Sequence, residues 1–320
     1  MRIQPTKIKL DVSTVCQLKC PSCSTAQGQI AKNLGSKILK IGPFKKFLDA
    51  NPGIRTIELS NWGEIFLNRD LPQIAQYAHE KKVVLTAANG VNLNTVSDGM
   101  LEALVKYRFG LITCSIDGAS RETYQIYRKG GDFERVLANI KKINEYKAAY
   151  RSDLPKLRWQ FIVFGHNEHE VPRARQMAHK LGMEFYLKLA WDDFSPVKNR
   201  ELVNGLSARM VSDRKEYQEK FGKIYLAEKI CSQLWLAPQI NTDGRVLGCS
   251  VNYWGDYGNA FEEDLTAVLN NEKMTYARQM LLGKKVERKD IPCTRCSIYQ
   301  EMKKSRVWLF SRRKGIECPT

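Results

Sequence analysis

Three cysteines in eight residues, Cys16-Gln17-Leu18-Lys19-Cys20-Pro21-Ser22-Cys23, follow directly on the alternating apolar segment Ile8 to Val12. The alternation reads as a strand, and the thiols then crowd the loop at its carboxyl end, where one short turn can fold them around a single iron–sulfur centre. Three thiolates are one too few to close a four-iron cube, so one iron would stay open for another ligand. The same spacing also suits a structural zinc loop or half of a ferredoxin-like site. Nine cysteines in a small secreted chain would mean disulfides. Here the chain has 320 residues and seven of the nine fall in metal-ligand spacings, which argues for thiolates on iron.

The rest of the chain is read as an α/β enzyme. Short strands are expected at Thr56–Ser60, Val83–Ala87, Leu111–Ile116, Trp159–Phe164 and Glu184–Lys188. Helical periodicity lies between them, clearest over 70–81, 96–106, 133–146 and 168–181. Six strands joined by crossover helices give a parallel sheet that can curl into a partial (β/α)6 barrel, and ligands in such sheets sit at the carboxyl ends of the strands. The expected division is a barrel over 1–194, a basic helical connection over 195–230, a small cysteine-bearing α+β domain over 231–300 and a basic tail over 301–320. With 43% hydrophobic residues the chain can fill a core, and no apolar run approaches the ~20 residues of a membrane span. A cytoplasmic location is expected. The net charge of +17 points to an anionic partner or substrate.

Three further motifs, with the cysteine run, resemble the radical S-adenosylmethionine (radical SAM) superfamily. In that family SAM chelates the open iron and is cleaved to a 5′-deoxyadenosyl radical that abstracts hydrogen from substrate. After strand two comes Ser60-Asn61-Trp62-Gly63-Glu64, in the place of a Gly-Gly-Glu motif that holds the amino group of SAM; Trp62 replaces its first glycine. Gly63 permits close backbone approach and Glu64 can accept from an ammonium. Asn89, after strand three, is expected over the same cavity. The run Cys114-Ser115-Ile116-Asp117-Gly118, followed by Tyr124, Arg128, Gly130 and Gly131, resembles members that carry twitch or SPASM domains. By that resemblance Ser115 meets the SAM ribose and Asp117 shapes the turn. Strand alternation puts Cys114 on the opposite face, under a helix.

Past residue 230 come Cys231, an Asp243-Gly244 hairpin signal leading to a second strand with Cys249, and Cys293-Thr294-Arg295-Cys296. Four thiolates in this arrangement suit zinc or a fully ligated [4Fe–4S] cluster. The resemblance to a twitch domain implies one auxiliary cluster beside the [4Fe–4S] cluster on Cys16, Cys20 and Cys23. It also implies a choice of reactions. Dehydrogenation of a sugar-like or aminocyclitol carbinol needs a base, for which Arg128, Asp192 and Asp193 are candidates. Epimerisation of a sugar or peptide needs a thiol hydrogen donor, for which Cys114 and Cys318 are the candidates. The barrel begins almost at once, which counts against a leader-dependent peptide. A third reading is a nucleic-acid-modifying or nucleic-acid-binding protein with a four-cysteine zinc site, favoured by the basic tail Lys303 to Lys314, which also suits an anionic membrane surface. An acidic flavodoxin- or ferredoxin-type electron donor would use the same charge.

Overall fold

A computed structural model describes residues 2–309. Seven parallel strands form one sheet: β1 (Lys7–Leu10), β2 (Thr56–Glu58), β3 (Val84–Val91), β4 (Leu111–Ser115), β5 (Lys156–Val163), β6 (Glu184–Leu189) and β7 (Gln239–Ile240), in the order β6-β5-β4-β3-β2-β1-β7. Seven helices accompany the first six strands: α1 (Gln29–Leu34), α2 (Ile41–Ala50), α3 (Leu71–Glu80), α4 (Asp98–Lys106), α5 (Arg121–Tyr127), α6 (Phe133–Ala149) and α7 (Val171–Lys180).

Period-two alternation divides the sheet into two unlike faces. The outer positions, among them Ile8, Leu10, Ile57, Leu59, Leu85, Ile112, Cys114, Leu157, Trp159 and Phe161, are buried in one core with the helices. Each fully buried aliphatic side chain there contributes roughly 1.5–3 kcal/mol. The inner positions are polar. Register sets Lys9 beside Glu58 and Thr86, Thr113 beside Arg158, and Ser115 beside Gln160 and Tyr186. A sheet packed on both faces would be apolar throughout, so this polar lining marks the inside of the barrel as a place for water and polar ligands.

Two departures from the expected chain path concern the site. The expected turn at Asn89 is a bulged continuation of β3: Ala87 pairs with Ile112 and Val91 with Cys114, so β3 spends two extra residues there. Buried Glu58 satisfies the bulge, accepting from Ala88 N at 2.8 Å, from Asn89 N and from the Thr86 hydroxyl. The second departure is β7, which comes from the cysteine-bearing C-terminal region yet pairs in parallel with β1, Lys9 opposite Gln239 and Leu10 opposite Ile240. Two residues are too few to show a period.

Between β6 and β7 lie α8 (Arg200–Leu206), α9 (Arg214–Phe221), α10 (Ala227–Cys231) and α11 (Gln233–Leu236); α12 (Leu265–Leu269), α13 (Glu272–Leu281) and α14 (Ser297–Ser305) follow β7. A boundary at 300 would cut α14, and Leu309 N donates to Leu281 O, so the C-terminal unit runs on to at least residue 309. The Asp243-Gly244 turn does reverse the chain, with Leu247 N donating to Gln239 O. Cys249 sits in a bend beyond the returning arm, not on a strand. Among the described residues no helix is long and apolar enough to cross a membrane.

Candidate active site

The cysteine loop is fixed by its neighbours before any metal binds. Thr14 ties it to the segment before α2 through Lys37 O and Gly35 O. Gly63 closes on it from the β2 side: a Cβ there would lie 2.4 Å from Ser13 O and 2.8 Å from Val15 O, so the backbones meet at a distance no other residue permits. Glu64 N then donates to Val15 O at 2.8 Å.

Glu64 is 2% exposed, and its carboxylate accepts from Asn92 N at 2.7 Å and Phe66 N at 3.2 Å. Burial pushes its pKa up to about 7. The carboxylate thus already joins the β2 and β3 loop ends; an ammonium would be a further partner for its remaining lone pairs. Trp62 does not face this cavity with its side chain. Its indole packs on Ile30, Leu34 and Leu247 and meets Tyr253 edge-on at 5.4 Å, joining α1 to the C-terminal unit. Asn89 Nδ2 donates to Asn61, and Asn61 to Ser250 O, one residue past Cys249. Ser115 lies on the inner face against Gly90, whose φ of 131° and missing Cβ make room for the hydroxyl.

Two of the three sulfurs have donors waiting. Asn92 Nδ2 lies 3.7 Å from Cys16 Sγ, and Arg128 Nη1 lies 3.7 Å from Cys20 Sγ. Buried Asp117 holds Arg128 in place through a 2.6 Å ion pair to Nε, and its other oxygen accepts from Ile162 N at 2.6 Å. That arrangement removes Arg128 from the candidate bases: a guanidinium in an ion pair keeps its proton. Asp192 and Asp193 are exposed to solvent in the loop after β6. Cys114 is wholly buried on the outer face between Ile112 and Ile116; burial raises its pKa and keeps it a thiol, but it is packed among the core side chains on the face opposite Ser115. Cys318 lies outside the described residues.

The second set of thiols comes from four places: Cys231 ends α10, Cys249 follows the reversal, Cys293 lies in a 3-10 turn and Cys296 precedes α14. They line one small cavity of about 20 Å³ whose other walls include Ile230, Leu234, Leu247, Trp254 and Leu281. Burial pushes Cys293 up to about 12 and Cys249 up to about 11. As neutral thiols they sit in this apolar pocket at no cost; as thiolates they would need cations between them, and four sulfurs lining one pocket are the donor set that a cluster ligated by all four would use. Tyr257 places its hydroxyl 3.5 Å from Cys293 Sγ.

Residues 10–177 match the family model of the radical SAM superfamily, and residues 231–297 match SPASM, an iron–sulfur cluster-binding domain. The first match spans more than half of the chain, and the chain belongs to the radical SAM superfamily. Its cofactors are therefore SAM, a catalytic [4Fe–4S] cluster and auxiliary iron–sulfur, which sets the zinc reading aside. Streptococcus suis SuiB is similar in structure, with a TM-score of 0.65 at 15% identity over 92% of this chain and 71% of that one. BtrN in complex with AdoMet and 2-DOIA has a TM-score of 0.52 at 14% identity, over 91% and 93%. A probable GTP 3′,8-cyclase from Methanocaldococcus jannaschii is 23% identical over 225 residues, 66% of this chain and 72% of its own length. The structural likenesses, at such identities, show the fold alone.

Several residues of the site carried no motif. Glu58, Asn92, Gln160 and Lys188 are positioned by alternation and by the bulge, and a polar residue at every second place of an otherwise apolar strand was the signal that could have found Glu58 and Gln160.

Proposed function

We propose that this enzyme oxidises a carbinol carbon of a hydroxylated small molecule of the sugar or aminocyclitol class. The observation that carries this reading is the chemistry of the barrel interior: hydrogen-bonding side chains line it, and among the described residues Cys114, the one thiol outside the two cysteine sets, is packed on the outer face. Inversion needs a hydrogen donor such as a thiol, and among the described residues none outside the two cysteine sets faces the barrel interior, which favours loss of a proton and an electron.

In this reading Cys16, Cys20 and Cys23 hold the catalytic cluster and Cys231, Cys249, Cys293 and Cys296 the auxiliary one. When bound, the first supplies the electron that cleaves SAM and the second accepts the electron left on substrate. The chain's own part is placement. Gly63, Glu64, Asn89, Ser115 and Asp117 surround the SAM position, Asn92 and Arg128 offer N–H groups to the cluster thiolates, and the Asn89-Asn61-Ser250 hydrogen bonds fix the barrel mouth against the auxiliary loop. The cleft lined by Lys32, Arg295 and Trp254, whose indole also walls the auxiliary cavity, suits an acidic electron carrier.

The test is a reaction of holoenzyme, SAM and reductant in deuterium oxide with a panel of sugars and aminocyclitols that includes 2-DOIA. Product two mass units lighter than substrate, with one 5′-deoxyadenosine per turnover, is expected. One deuterium fixed at an inverted carbon would establish epimerisation instead.

A further inference from the structure

With Arg128 locked in an ion pair and Asp192 and Asp193 in solvent, the oxidation proposed above lacks a proton acceptor among the residues the sequence suggested. The barrel interior contains another. Lys188 lies on β6 opposite Ile162 of β5, and Ile162 packs with Leu18 and Cys20 of the cysteine loop; Ala190, two residues beyond Lys188 on the same face, joins that contact. Alternation therefore sets Lys188 on the inner face at the level of the catalytic loop. It is half-buried, and among the described residues no carboxylate lies within salt-bridge distance of it.

We propose that Lys188 is the base that takes the hydroxyl proton of the substrate. The inference rests on the oxidation reading. Once a hydrogen atom has left the carbinol carbon, the hydroxyl on the radical centre is far more acidic than that of the parent alcohol. Its O–H bond breaks, an N–H bond forms on the Lys188 amine, and the ammonium returns the proton to solvent; no electrons change hands in this step. An unpaired amine suits the task, because a lysine committed to a carboxylate would hold its proton throughout the neutral range.

The electrostatic surroundings agree. Burial, then the cations Arg128, Lys229 and Arg214, lower the pKa of Lys188 to about 8, against the opposing pull of Asp117. Those four groups come from the β4 end, the segment after α5, α9 and α10, so the amine faces three cations and one carboxylate. A base poised near neutrality is the efficient one.

Two measurements test the assignment, and the first needs no substrate. Competitive isotopic acetylation of the holoenzyme from pH 6.5 to 10.5, read by peptide mass mapping, should show Lys188 reacting with a midpoint about two units below that of the surface lysines. A midpoint with the surface lysines, or no reaction, would overturn the proposal whatever the reaction of the enzyme proves to be. The second uses whichever member of the panel is oxidised. Lys188→Met should still move deuterium from the labelled carbinol carbon into 5′-deoxyadenosine while forming product 10²- to 10⁴-fold more slowly, and Lys188→Arg should not restore it. Product at the wild-type rate from Lys188→Met would remove Lys188 from the mechanism and leave the oxidation reading standing. Failure of the whole panel to be oxidised would count against the reading and leave the acetylation result to judge the lysine.

Discussion

The two cysteine sites use one ligand chemistry in opposite settings. At the first, three thiols lie within eight consecutive residues, Cys16 and Cys23 are half-exposed, and beside the apolar Leu18, Ile162 and Phe164 the neighbours include hydrogen-bond donors, Asn92 and Arg128. At the second, four thiols come from three segments, at Cys231, at Cys249 and at Cys293 with Cys296, and meet in an apolar cavity. A contiguous polar loop can leave a position free and exchange a ligand there. A pocket assembled from three segments, with its thiols turned inward, is closed and suits storage of an electron. What separates them is the number of chain segments that must be folded before the ligands meet.

The widest test of that contrast exchanges iron for activity. Changing Cys16, Cys20 and Cys23 to Ala should abolish SAM cleavage and leave about four of about eight irons per chain, since the closed site assembles without the loop. Changing Cys293 and Cys296 to Ala should also remove about four irons. That second variant should still make 5′-deoxyadenosine but yield quenched substrate in place of product. Iron analysis with 5′-deoxyadenosine quantification reads both. If the triple variant still cleaved SAM, the open site would be misassigned.

Asp117→Asn sharpens the contrast by striking one site alone. It leaves Arg128 as an uncompensated cation, 13% exposed at its side chain, beside the cysteine loop. A cost of about 3–5 kcal/mol is expected in anaerobic urea unfolding. The absorbance of the auxiliary cluster in folded protein should be unaffected. Equal loss at both sites would mean that the two are not independent.

The smallest effect is one of pH and concerns the polar wall of the open site. The folded pKa of Glu64 is raised from an ordinary 4.5 to about 7, so the stability its buried neutral form confers is complete below about 4.5 and is lost as the pH rises through 7. The loss should be on the order of 2–3 kcal/mol between pH 5 and 8. Glu64→Gln, which does not ionise, should flatten that part of the profile. Identical slopes for the two proteins would show that Glu64 is ionised in the fold at every pH.

The α/β class, the six barrel strands and the first cysteine triplet were legible in the chain because each is written locally; the second set was suggested by spacing and by resemblance. A thiol triplet is a local pattern, and strand alternation declares itself over four or five residues. Ser115 and Cys114 could likewise be assigned to opposite faces from parity alone. Relations between distant segments came from the fold. Two residues, Gln239 and Ile240, become a seventh strand because β1 offers them an unpaired edge. Arg128 ceases to be a candidate base because Asp117, eleven residues away, closes on it where β4 and β5 end. Trp62, in the place of a motif glycine, turns out to join α1 to the C-terminal unit. Lys188 becomes chemically distinctive only through burial and through charges contributed from four other segments. Periodicity is a property of the chain, but a charge's environment is a property of the fold, and no local pattern encodes it.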